Sequence, residues 1–243
     1  GSPEIEGDWG DPALYPDVGG AYAQYMTALD GDKAFDATGG TLTIEVGAAQ
    51  TVIVGVRAID KAVLVNGETV ADSGTTATSS NVKQVDLALE AGYDGAGEEV
   101  IVLDFLNDDF ANAGSSSGGF TFELGAGSDK LQVRGQSGND NYKLTVDGIN
   151  FGNDNNFEIS DEDAQEFTGG LSFSLATGND TLNAYGDDPA TSFNVALTVY
   201  GGDGNDKLYG SDLADTLNGG PGDDEIDGHL GDDVLNGDEG DDT

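Results

Sequence analysis

The chain has 243 residues, with 47 acidic side chains against 8 basic ones, a formal charge of −39, and 39 glycines. A surface so poor in Lys and Arg repels phosphate, which excludes nucleic acids and anionic membranes as partners and favours cations. With no cysteine, and with His229 as its single histidine, the chain cannot build a disulfide framework, a thiolate or multi-histidine metal site, or a histidine-based catalytic triad.

No apolar run reaches the roughly 18 residues that cross a bilayer, so membrane insertion by this chain is not expected. Tyr22, Tyr25, Met26 and Leu29 recur at helical spacing and predict a short amphipathic helix near 19–30, ended by Gly31. Apolar runs then predict strands over 41–46, 51–58, 61–65, 82–89 and 99–106, with Asn66-Gly67 as a hairpin signal. That spacing predicts an antiparallel β-sandwich for residues 1–119. Acidity is spread along the chain, with 20 acidic and 4 basic residues in 1–119 and 27 and 4 in 120–243. It fits either a saline habitat or further cation sites outside the repeats described below.

The segment EVIVLDFLNDDF (99–110) resembles the penultimate strand of calcium-dependent xylan-binding modules, and 140–148 resembles the strand that follows it. The resemblance implies an ion held by Asn107, Asp108 and Asp140 that takes sugar hydroxyls as its last ligands. The plainer alternative is that 107–109 only turn the chain.

From Phe120 a second grammar begins: an apolar residue, four others, Gly, Ser or Asn, Asp, any residue, then an apolar one. It fits Phe122 to Leu131 through Asp129, Val133 to Tyr142 through Asp140, Phe173 to Leu182 through Asp180, and Val199 to Leu208 through Asp206. Residues 120–243 are therefore expected to form a parallel β-solenoid, with longer excursions between Asp140 and Asp180 and around 186–192. Asp129, Asp140 and Asp180 either bind metal or hydrogen-bond their own turns.

From Gly201 the pattern becomes a strict nonapeptide: GGDGNDKLY, GSDLADTLN, GGPGDDEID, GHLGDDVLN, GDEGDDT. Asp206, Asp215, Asp224, Asp233 and Asp242 hold the sixth position, and Leu208, Leu217, Ile226 and Leu235 the eighth. Glycines at the first, second and fourth positions permit positive φ and present backbone carbonyls, while Asp supplies the hard anionic oxygen that Ca²⁺ prefers. Gly202, Gly204, Gly220 and Gly222, with Asp203, complete the candidate ligands. The alternative of a disordered acidic tail describes the same segment without cations, when adjacent carboxylates repel. His229, at a second position, reads as a loop residue.

These nonapeptides resemble the calcium-binding repeats of RTX (repeats-in-toxin) proteins, a motif whose consensus is G-G-x-G-x-D-x-U-x. The resemblance implies a parallel β-roll in which two repeats make one turn, so that loops 18 residues apart share an ion. It pairs Asp206 with Asp224, Asp224 with Asp242, and Asp215 with Asp233, giving at least three calcium sites. It also implies type I secretion of an unfolded chain that folds in extracellular calcium. The last repeat stops one residue before its apolar position, so the roll is expected to continue in a longer protein.

The expected fold class is thus all-β, an N-terminal antiparallel sandwich followed by a calcium-binding β-roll. The expected function is non-enzymatic: a secreted calcium-binding protein with a structural or adhesive role at the bacterial cell surface, as in a surface layer or adhesin. Its partners would be calcium and, through the 107–108 turn, a glycan or cell-surface polysaccharide, with self-association also open. The sequence has no HExxH zinc motif, and the Gly114–Gly118 loop has no histidine partner. The alternatives are a carbohydrate-binding module or the accessory region of a secreted enzyme or toxin.

Overall fold

The computed structural model describes residues 32–56, 60–91, 93, 97–105, 119–151, 159–165, 167–185 and 193–243. The alternating runs of the sequence become strands with one buried face: β2 (Thr41–Val46) buries Leu42, Ile44 and Val46. Ten strands form one sheet, in the spatial order β1 (Lys33–Asp36), β2, β8 (Gln84–Leu89), β10 (Phe120–Glu123), β14 (Ile159–Ser160), β13 (Gly148–Asn150), β12 (Asn141–Thr145), β16 (Thr181–Asn183), β18 (Lys207–Tyr209), β20 (Glu225–Asp227). Nine form the other: β21 (Val234–Glu239), β19 (Thr216–Pro221), β17 (Leu197–Tyr200), β15 (Gly170–Ser174), β11 (Lys130–Arg134), β9 (Val100–Asp104), β3 (Thr51–Val56), β4 (Val63–Val65), β5 (Glu68–Thr69). A separate hairpin joins β6 (Ala71–Asp72) to β7 (Thr75–Thr76). The expected helix near 19–30 lies outside the described residues.

The antiparallel sandwich expected for 1–119 is corrected. β2 runs parallel to β8 and β3 parallel to β9, and these pair in parallel with β10 and β11. Both sheets therefore run continuously past 119. Alternation reports which face of a strand is buried, not the direction of its neighbour, so the pattern fits either arrangement. Antiparallel pairing before 119 is confined, among the described residues, to local hairpins, the β1–β2 edge and an isolated bridge from Ala62 to Thr78. One hairpin is the turn predicted at Asn66-Gly67, where both residues take positive φ (48° and 81°) and Val65 faces Glu68.

Parallel register stacks like on like. Val54, Leu103, Val133, Phe173, Val199 and Leu217 are successive partners across one sheet, and all six are buried. Burying each such side chain stabilises the fold by about 1.5–3 kcal/mol, so this interior column is a main source of cohesion. In the other sheet, β12, β13 and β14 form a meander set between β10 and β16, with β13 antiparallel to both neighbours. Aromatic rings fill the core beside it, with Phe122 edge-on to Phe167 at 4.8 Å and Phe105 edge-on to Phe151 at 5.1 Å. The meander explains why the sequence spacing stretches between Asp140 and Asp180.

Candidate metal centre

Each turn that enters a strand of the repeats presents its sixth-position Asp carboxylate to the preceding turn. On one edge Asp140 N–H donates to Asp180 Oδ1 (2.7 Å), Asp180 N–H to Asp206 (2.8 Å), Asp206 N–H to Asp224 (2.8 Å) and Asp224 N–H to Asp242 (3.0 Å). On the other edge Leu197 N–H donates to Asp215 Oδ1 (2.7 Å), and Asp215 N–H to Asp233 (2.9 Å). The structure therefore brings together Asp206 with Asp224, Asp224 with Asp242, and Asp215 with Asp233, each pair 18 residues apart. It adds Asp140 and Asp180 to the first column and places Asp129 elsewhere, against Glu99.

The second carboxylate oxygen behaves differently. Oδ2 of Asp180, Asp206 and Asp224 is buried and accepts no hydrogen bond. The first glycine of each repeat makes room for this oxygen: a Cβ on Gly210 would lie 2.6 Å from Asp215 Oδ2, and Gly201 and Gly219 stand in the same relation to Asp206 and Asp224. The expectation that first-position glycines take positive φ is thus corrected. Positive φ belongs to the second and fourth positions, as at Gly202 (105°), Gly204 (142°), Gly220 (104°) and Gly222 (151°). At Gly222 a Cβ would collide with the Gly204 carbonyl oxygen, so the turns stack backbone on backbone.

A second ladder runs outside the first. Asn179 N–H donates to Asn139 Oδ1, Asn205 N–H to Asn179 Oδ1, Asp223 N–H to Asn205 Oδ1 and Asp241 N–H to Asp223 Oδ1, at 2.9–3.1 Å. Sequence reasoning gave these residues no role. The signal was an Asn or Asp immediately before each Asp of this edge.

Stacked buried carboxylates raise one another's cost of ionisation. Burial, opposed by the Asp140 N–H bond and reinforced by the Asp206 and Asp140 carboxylates, lifts Asp180 from 3.8 to about 7. Burial likewise lifts Asp206 to about 6 and raises Asp215 and Asp224. An unfolded Asp titrates near 3.8, so without metal the folded chain binds more protons than the unfolded chain between 3.8 and about 7. The resulting stability is complete below the unfolded value and is lost as pH rises through about 6 to 7. Thermal melts of the calcium-free chain should therefore fall in midpoint from about pH 5 to about pH 8, and Asp180→Asn should flatten that slope. In saturating calcium, which needs ionised carboxylates, the fall should disappear.

The donor set fits a hard divalent cation. It consists of carboxylate oxygens with unfilled hydrogen-bonding capacity, backbone carbonyls and no nitrogen or sulfur ligand. Among the described residues no three carboxylates or imidazoles converge, so carbonyls such as those of Gly202, Gly204, Gly220 and Gly222 must supply part of any coordination shell. Asp203 is exposed, and its backbone bonds across to Ala176 and Gly178. His229 takes positive φ and stacks on Tyr185 with ring centroids 3.6 Å apart. Asn107 and Asp108 lie outside the described residues.

The family model of the RTX calcium-binding nonapeptide repeat, in four copies, matches residues 198–212 and 209–243. That segment carries RTX calcium-binding repeats, and calcium is the cation its geometry accommodates. No curated protein and no solved structure matches the chain.

Proposed function

We propose that this is a secreted, non-enzymatic calcium-binding protein of the RTX type, whose roll is completed by calcium outside the cell and serves a structural or adhesive role at the bacterial surface. The observation that carries the calcium part is the column of buried Asp180, Asp206 and Asp224 on successive turns of one edge, whose Oδ2 atoms have no hydrogen-bond partner. Asp180, Asp206, Asp224 and Asp242 on one edge, and Asp215 and Asp233 on the other, would hold the ions together with glycine carbonyls. Bound calcium would supply the positive charge that lets neighbouring carboxylates stay ionised at neutral pH. The chain's own part is to hold the turns in an 18-residue register, keep side chains away from Oδ2, and fix one oxygen of each Asp by a backbone N–H. Among the described residues no helix is long and apolar enough to cross a membrane. A rigid, acidic, cation-dependent rod suits the spacing or anchoring element of a surface assembly.

The register makes a quantitative test. Asp224 stands between two carboxylates of its column, whereas Asp215 has Asp233 on one side and Leu197 on the other. Asp224→Ala should therefore remove two ions in a calorimetric calcium titration and Asp215→Ala one. Equal losses from the two variants would sink the assigned pairing, and an unchanged wild-type signal on adding calcium would sink the reading as a whole.

A further inference from the structure

Upstream of the matched repeats, a different pair of carboxylates meets at one edge. Glu99 immediately precedes β9 and Asp129 immediately precedes β11, so adjacent parallel strands bring them together. Both are fully buried, at 0% exposure. Glu99 N–H donates to Asp129 Oδ1 at 2.9 Å, the bond that links successive turns in the repeats. Ala49 N–H donates to Glu99 Oε1 at 2.6 Å. The remaining oxygens, Glu99 Oε2 and Asp129 Oδ2, are buried and accept a hydrogen bond from no N–H or O–H of the described residues, while the two carboxyl groups lie within hydrogen-bonding reach of each other.

Nothing nearby in sequence neutralises this pair. Lys130 follows Asp129 but reaches Glu98 at the surface (2.9 Å). Arg134, one strand-length on, is engaged with Asp104. The flanking turns are also kept bare: a Cβ on Gly97 would lie 2.8 Å from Glu99 Oε1, and one on Gly169 would lie 2.8 Å from the Asp129 carbonyl oxygen. The link from Glu99 N–H to Asp129 thus reproduces, with a different residue and a 30-residue spacing, the turn-to-turn link of the repeats. Two buried carboxylates cannot both stay ionised unless a cation joins them, and burial followed by the Asp129 carboxyl holds Glu99 above the usual carboxylate range.

We propose that Glu99 and Asp129 form a further binding site for a hard divalent cation, calcium in this protein, completed by backbone carbonyls and water. The ion's identity rests on the calcium reading of the repeats. The site's existence rests on the unpartnered oxygens alone. It would tie together the turns entering β3, β9 and β11, and so carry cation dependence into a part of the fold that has no nonapeptide.

The test measures calcium bound per chain, by equilibrium dialysis and elemental analysis, on the full chain and on Glu99→Gln, Asp129→Asn and Asp224→Ala. Glu99→Gln and Asp129→Asn should each bind one ion fewer than the wild type, and a double variant with Asp224→Ala should show the sum of the two deficits. An unchanged count in both, with Asp224→Ala still deficient, overturns this site and leaves the repeats intact. A wild-type chain that binds no calcium overturns both readings. If either variant fails to fold, a crystal structure of the wild type grown in calcium decides. Density at about 2.3–2.6 Å from both Glu99 Oε2 and Asp129 Oδ2 supports the site. No ion density between the two carboxyls, with an infrared band of a protonated acid, overturns it in favour of a shared proton.

Discussion

Removing calcium with a chelator should unfold the repeats first and leave the upstream turns folded. Three ions, each present at about 100 times its dissociation constant, would contribute about 2.7 kcal/mol apiece, or about 8 kcal/mol together. Whole domains are stable by about 5–15 kcal/mol, so this loss is decisive for the turns that depend on it. Hydrogen exchange read by mass spectrometry locates the effect. Amides of β18 to β21 should lose protection on chelation and regain it with calcium but not magnesium. Those of β2 and β8 should keep most of theirs, because Leu42, Ile44, Val85 and Leu87 are buried in the core of turns that hold no proposed cation site. Loss of protection in both halves at one calcium concentration would contradict this order of unfolding.

The second large effect involves no cation site. Arg134 on β11 and Asp104 on β9 are register partners, both buried, with Nη1 3.5 Å from Oδ2. Removing one member leaves the other charge buried, a loss of about 3–5 kcal/mol, whereas replacing both with apolar groups of similar size is often neutral. Arg134→Met and Asp104→Leu should each lower stability by about that amount in urea melts run in saturating calcium, and the double variant should recover most of it. The exposed Lys207–Glu225 pair (2.6 Å) is the control, since Lys207→Ala should leave the melt unchanged. A single Arg134→Met variant as stable as the wild type would show that the pair is not the buried charge compensation described.

The site was far more legible in the sequence than the first half of the fold, and the residues show why. In the repeats, Asp206, Asp224 and Asp242 recur at a fixed interval because each turn is as short as the backbone allows, so sequence spacing equals spatial spacing. Upstream, β2 and β8 are neighbours across a 43-residue register step, Thr41 to Gln84, and the hairpins β3–β4–β5 and β6–β7 fill the gap. The same stacking is present there, but the inserted hairpins hide its period. Strand limits fared better: 41–46 is observed as Thr41–Val46, while 61–65 and 82–89 shorten to Val63–Val65 and Gln84–Leu89. Glu99 was read only as the start of a strand, since a single Glu before an apolar run carries no motif. Its importance depends on Asp129, which only the pairing of β9 with β11 reveals.

The wiring of the Asp column also has a direction. Every link runs from an N–H to a carboxylate later in the chain: Asp140 to Asp180, Asp180 to Asp206, Asp206 to Asp224, Asp224 to Asp242. The outer ladder runs the other way, from the N–H of Asn179, Asn205, Asp223 and Asp241 to the side chain one turn earlier, so each pair of neighbouring turns is fastened in both directions. Each link touches only its neighbours, so damage to one is local. Losing Asp242 takes the carboxylate acceptor from the Asp224 amide alone, and every earlier link stays closed.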